Sequence, residues 1–163
     1  MQLRYPVIAL LTAFVVAPAF AEEPSPKDLV TQIYRISAGP KGDYRAPSGF
    51  EDKQVRKHFT KSLLAAQKAM DQRSKKLNEP IMDFDPVTNS QDPSVVHLSI
   101  DVESADAAKT IVAASFDRAD GPKRNVVRYI FVREDGAWRL DDMRGEEGDD
   151  KWDLRDVMSP KAK

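Results

Sequence analysis

Hydrophobic residues near the start of the chain repeat at helical spacing. The repeat predicts a helix that begins after Ser25 and ends at Gly39-Pro40. Ser25-Pro26-Lys27-Asp28 offers an N-cap hydroxyl, a proline at the first helical position and an acid in the first turn. The apolar stripe of this helix is Leu29, Val30, Ile33 and Tyr34.

A second and longer helical repeat follows the loop from Gly39 to Phe50, which is rich in glycine and proline. A short helix is expected from Glu51, and Thr60 is the predicted cap of the longer one. Its apolar positions are Phe59, Leu63, Leu64, Ala66, Met70 and Leu77, and its solvent face carries Lys61, Lys68, Asp71 and Lys75.

After Pro80 the hydrophobic period changes from 3.6 to 2, which predicts strands. The predicted strands are Val96–Val102, Thr110–Phe116, Val126–Val132 and, after an Asp135-Gly136 turn, Trp138–Asp141. Because helices precede strands without βαβ alternation, the pattern predicts an α+β domain. N-terminal helices should pack on one face of a curved antiparallel sheet of about four strands.

The first 21 residues are typical of a secretory signal peptide. One positive charge at Arg4 precedes an apolar run from Val7 to Val16, and Ala19-Phe20-Ala21 is an A-x-A site. The apolar run is too short to cross a bilayer, so we expect cleavage after Ala21 and no stable membrane anchor. This predicts a periplasmic or secreted protein with a single domain over residues 22–158 and a frayed tail over residues 159–163.

The composition limits the kinds of chemistry that the side chains can perform. The chain contains no cysteine, which excludes disulfides, a thiol nucleophile and lipidation at a cysteine. Lys53–Lys76 holds eight Lys/Arg and one acid, whereas Asp141–Asp156 holds eight acids and three bases. We interpret both as solvated faces, the acidic one as a connector, with a docking surface as the alternative. Nucleic acid is not an expected partner, because the basic segment lacks interleaved aromatics and the chain carries an export sequence.

The segment Asp83–Asp92, DFDPVTNSQD, allows two interpretations. As a helix-loop-helix calcium site it fails at three positions, where it has Val87, Thr88 and Ser94. A non-standard metal site would use Asp85, Asn89 and Asp92. The favoured interpretation is a structural turn, in which Phe84 is a core anchor while Asp85 and Asp92 bind loop N–H groups.

His97 is the candidate catalytic base. Strand alternation places it with Ser99 and Asp101 on the face opposite Val96 and Leu98. With Tyr129 from a neighbouring strand it could form an acid–base site, but an exposed sheet face explains the same pattern. His58 and His97 do not have zinc-ligand spacing, and we expect no cofactor.

Four short motifs resemble a family of exported proteobacterial proteins, domain of unknown function 3828. They are the capped helix from Pro26, Phe84-Asp85-Pro86 with Gln91-Asp92, the segment from Trp138 to Arg144, and the segment from Leu154 to Met158. The late strand Gly136-Ala137-Trp138-Arg139-Leu140 is similar to one in the nuclear transport factor 2-like, or cystatin-like, superfamily. That resemblance implies a cone-like fold and often dimerisation through the sheet, and it implies no particular activity.

These observations predict a non-enzymatic binding or interaction domain with an envelope protein partner. The alternative is a small enzyme or small-ligand carrier that uses the cone's cavity, with His97, Asp101 and Tyr129 as its residues. An open interior with His97 and a carboxylate converging would favour the alternative, and a filled interior would favour the binding domain.

Overall fold

The computed structural model describes residues 23–119, 121–147 and 149–160. The predicted signal peptide and the last three residues of the predicted tail therefore lie outside the described residues. Within them, no helix has the length and apolar character needed to span a membrane. The helices are α1 (Pro26–Ala38), a 3-10 turn (Gly49–Glu51), α2 (Lys53–Arg56), α3 (Lys61–Leu77) and α4 (Leu154–Met158). The strands are β1 (Val96–Ala105), β2 (Lys109–Arg118), β3 (Gly121–Glu134), β4 (Ala137–Glu147) and β5 (Asp150–Asp153).

The predicted helix caps Ser25 and Thr60 are both confirmed, and the short helix expected from Glu51 begins at Lys53. The Ser25 hydroxyl oxygen accepts a hydrogen bond from the Asp28 N–H at 3.2 Å, and the Asp28 carboxylate accepts one from the Ser25 N–H at 3.3 Å. The Thr60 hydroxyl oxygen accepts a bond from the Leu63 N–H at 3.1 Å and so caps α3. One position is wrong: Leu77 is 57% exposed, because all residues from Lys75 to Pro80 lie beyond the edge of the core.

The five strands form one antiparallel sheet in the order β1-β2-β3-β4-β5, which is curved and does not close. The prediction of about four strands is corrected to five, because the acidic segment taken for a connector forms the end of β4 and all of β5. Opposite charges face each other across this hairpin, as in the pairs Arg144↔Asp153 and Glu146↔Lys151. These pairs stabilise strands whose sequence lacks apolar alternation.

One face of the sheet is covered by α1 and the loop before β1. Tyr34 of α1 makes edge-to-face ring contacts with Phe116 of β2 and Tyr129 of β3, at centroid distances of 6.0 and 6.2 Å. The buried strand residues of this covered face are Val112, Ala114, Phe116, Val127, Tyr129, Phe131, Leu140 and Met143. The other face, which we call the open face, carries Ala113, Arg128 and Arg144 in register.

Candidate functional site

The segment Asp83–Asp92 is a turn closed by its own backbone. Asp85 and Ser90 form an isolated antiparallel bridge, with the Asp85 N–H donating to the Ser90 carbonyl at 3.0 Å. The Asp85 carboxylate accepts bonds from the Ser48 hydroxyl at 2.6 Å, the Val87 N–H at 3.0 Å and the Thr88 hydroxyl at 3.1 Å. Asp85 therefore has the structural role that the turn interpretation gives it.

The turn is fixed to the covered face by contacts from distant parts of the chain. The Tyr34 hydroxyl donates to the Val87 carbonyl at 2.8 Å. Asn89, in left-handed conformation at φ 53°, donates to the Asn125 side-chain oxygen at 2.9 Å and accepts from the Trp152 indole N–H at 2.5 Å. We call Asn89, Asn125 and Trp152 the amide–indole cluster. It joins the turn to β3 and β5.

Two aromatic contacts complete this arrangement. Phe84 is half-buried against Trp152, with ring centroids 5.2 Å apart, so it packs at the margin of the core. The Trp152 ring lies across Gly145, where a β-carbon would come within 2.3 Å of the ring. Glycine at this strand position therefore makes room for the indole.

Two of the three candidate metal ligands already accept hydrogen bonds from protein donors. Asp85 is occupied by the three donors described above, and the Asn89 side-chain oxygen accepts the Trp152 N–H. The backbone N–H of Asp92 donates to the Ser90 hydroxyl at 3.0 Å. Ser90 therefore binds a loop N–H, which is the role that the sequence had assigned to the Asp92 carboxylate. Gln91 is exposed and donates to Asp83 at 3.0 Å. Among the described residues, no group of three His, Cys, Asp or Glu could hold a metal ion.

The candidate base His97 and its partner Asp101 lie in solvent. The His97 side chain is 82% exposed, and its Nδ1 is 3.1 Å from the Asp117 carboxylate. Its backbone has φ 53° within a register irregularity between Val96 and Ser99. Asp101 accepts a bond from Ser99 at 2.5 Å and lies 3.7 Å from Lys27.

Tyr129 lies on the covered face, away from His97 and Asp101. It is 0% exposed and pairs with Val112 and Met143 in the middle of the sheet. Its hydroxyl lies near that of Tyr34, and burial, with the influence of Tyr34, raises the pKa of this phenol well above its ordinary value. The structure therefore does not assemble an acid–base site from these three residues.

Trp138, the remaining motif residue, supports the β3–β4 hairpin. The Arg133 guanidinium lies over its ring at 4.1 Å. Beside it, Arg139 binds the Glu23 carboxylate at 3.0 and 3.3 Å, and this bond lowers the pKa of Glu23. The chain that leads into α1 is thereby held against the hairpin.

The open face carries a charged groove that the sequence did not reveal. It has a volume of about 440 Å³, and its lining includes Arg128, Arg144, Glu146, Lys151 and Asp153. Arg128 binds Glu103 at 2.7 Å and Glu146 at 3.2 Å, and Arg144 binds Asp153 at 2.8 Å. The sequence does contain one signal of this groove, the alternation of charge at Asp142, Arg144 and Glu146. Because the segment is acidic overall, it was interpreted as a solvated connector instead.

Asp142 is the buried member of this charged region. Its carboxylate accepts bonds from the Met143 N–H at 2.9 Å and the Arg155 N–H at 3.3 Å, and it lies 3.8 Å from Arg144. Burial, with the nearby charge of Asp153, raises the pKa of Asp142 to about 6. The carboxylate can therefore change charge near neutral pH while it joins β4 to the start of α4.

A scan against family models found no matching family, and comparisons with curated proteins and with solved structures found no match.

Proposed function

We propose that this chain is an exported binding module of the cell envelope, cleaved after Ala21, that contacts its partner through its surface. The observation that carries the proposal is the filled interior. Side chains of α1 and the turn occupy the covered face, and its central residues Phe116, Tyr129 and Phe131 are at most 2% exposed. A small-ligand enzyme or carrier would need an accessible cavity there.

The candidate residues His97 and Tyr129 also do not lie together, as a shared catalytic site would require. His97 is in solvent and Tyr129 is sealed in the core, so a substrate contacting one would not reach the other. The side-chain oxygens of Asp85 and Asn89 in the turn already accept bonds from protein donors. Both facts support a binding role over the enzyme or carrier alternative.

The cone-like fold and membership of the domain of unknown function 3828 family belong to the same proposal. Their support is the order of elements, with helices before a curved antiparallel sheet, and the packing of α1 on one face only.

The proposal is tested by expressing the full chain from Met1 with a C-terminal tag and cross-linking intact cells. We expect a periplasmic product whose intact mass corresponds to a chain that begins at Glu22. We also expect a cross-linked adduct with an envelope component. A product that retains Met1 in the cytoplasm would contradict export. A correctly exported product without any adduct would contradict the binding role.

A further inference from the structure

The solvent side of α3 carries a row of lysines. At 3.6 residues per turn, Lys61, Lys68 and Lys75 lie in one sector of the helix, opposite the buried Leu63 and Met70. All three lysines are exposed, and they span about 21 Å along the helix at 1.5 Å per residue. With Lys76, which is exposed beside them, they form what we call the lysine face.

Most of this charge is not neutralised by the protein. Lys61 binds Asp135 at 2.7 Å, on the neighbouring hairpin. Lys68, Lys75 and Lys76 form no ion pair within the part of the chain that the structure describes, and Asp71 is the one acid of α3. The lysine face therefore presents net positive charge to solvent.

We propose that the lysine face binds an anionic lipid surface, an inference that rests on the proposed export to the envelope. Charge complementarity identifies an anionic occupant. The residues that lie between the lysines along this face are Leu64, Ala65, Asp71 and Gln72. Leu64 packs against the core, so none of them offers an exposed aromatic or large apolar anchor. Protein interfaces depend on such anchors, which favours lipid over an acidic protein. The exposed Leu77 lies on the other side of the helix and does not supply one.

The chemistry of lysine fits a diffuse layer of phosphate groups. Its ammonium is a compact, hydrated charge on a flexible stem and needs no bidentate geometry. Near an anionic membrane each such charge contributes about fivefold to binding. Binding of this kind is screened by salt, so it should be strong at low ionic strength and weak at high ionic strength.

The test is co-sedimentation of the mature chain with vesicles of phosphatidylglycerol or of phosphatidylcholine. We expect binding to phosphatidylglycerol at an ionic strength of about 0.02 M, release at about 0.5 M, and no binding to phosphatidylcholine under either condition. Absence of binding to phosphatidylglycerol at the lower ionic strength would overturn the inference. Equal binding to both lipids would also overturn it, since the attraction would then not be electrostatic.

A matched pair of variants locates the surface. K68E/K75E reverses two charges on the lysine face, and K41E/K109E reverses two exposed lysines elsewhere, so both change the net charge equally. We expect at least tenfold weaker binding for K68E/K75E and a change of less than threefold for K41E/K109E. Equal losses in the two variants would overturn the assignment to α3. Circular dichroism and melting temperature establish that each variant is folded.

The outcomes separate this inference from the proposed function. Export and an envelope adduct without vesicle binding would overturn the lipid inference and leave the binding module intact. An adduct between the lysine face and an acidic protein, again without vesicle binding, would also overturn the lipid inference and leave the binding module intact. Retention in the cytoplasm would overturn the proposed function, on which the lipid inference rests.

Discussion

Replacing Asp85 with alanine tests the turn that packs on the covered face. The carboxylate accepts three hydrogen bonds, from Ser48, Val87 and Thr88, and Thr88 is 0% exposed. A buried donor left without an acceptor costs about 1–3 kcal/mol. Asp85 itself is only half-buried, so water can replace part of what is lost. We therefore expect Asp85→Ala to lower the free energy of unfolding by about 3 kcal/mol.

The assay is equilibrium unfolding in urea followed by tryptophan fluorescence, because Trp152 contacts the turn through Asn89. For urea m-values of about 1–3 kcal/mol per molar, the midpoint should fall by roughly 1–3 M. Asp85→Asn keeps one acceptor oxygen and should cost less than half as much.

Asp83→Ala is the matched control. Asp83 is an exposed carboxylate in the same segment that accepts one bond, from Gln91, so its loss should cost less than about 0.5 kcal/mol. The refuting result would be equal midpoints for Asp85→Ala and Asp83→Ala, since the network around Asp85 would then contribute nothing to stability.

Three further predictions concern Asp142, Gly145 and calcium binding at the turn. The pKa of Asp142 in the folded protein, about 6, lies above the ordinary carboxyl value of 3.8, so the stability that the protonated carboxyl contributes at low pH is lost as pH rises through 6. Relative to wild type, Asp142→Asn should therefore gain about 2–3 kcal/mol of unfolding free energy between pH 3.5 and pH 8, and a constant difference would contradict this. Gly145→Ala places a methyl group where the Trp152 ring lies, so it should destabilise the folded protein by about 2 kcal/mol and alter the tryptophan fluorescence. An unchanged spectrum and an unchanged unfolding midpoint would show that the ring does not lie there. Calcium added to chelated protein should leave the melting temperature unchanged, because the Asp85 and Asn89 oxygens are already bonded; a rise of several degrees would reveal a site.

The sequence by itself determined the elements whose causes are local. Ser25 and Thr60 cap helices through bonds to residues three positions away, so the pattern around each was sufficient to predict the helix start. Alternation likewise predicted the first strands, because one buried face leaves a period of two in the chain. The structural role of Asp85 also followed, since its bonds to Val87 and Thr88 are short-range.

Tertiary structure alone decided the features whose partners are distant in the chain. The Trp152 indole meets Asn89 across 63 positions, and β5 pairs with β4 in a register that places opposite charges across from each other. The sheet also separates Tyr129, in its core, from His97, at its exposed edge, although alternation had made them candidates for one site. The physical reason is that local patterns fix conformation and burial, whereas side-chain convergence depends on register and on which face is covered.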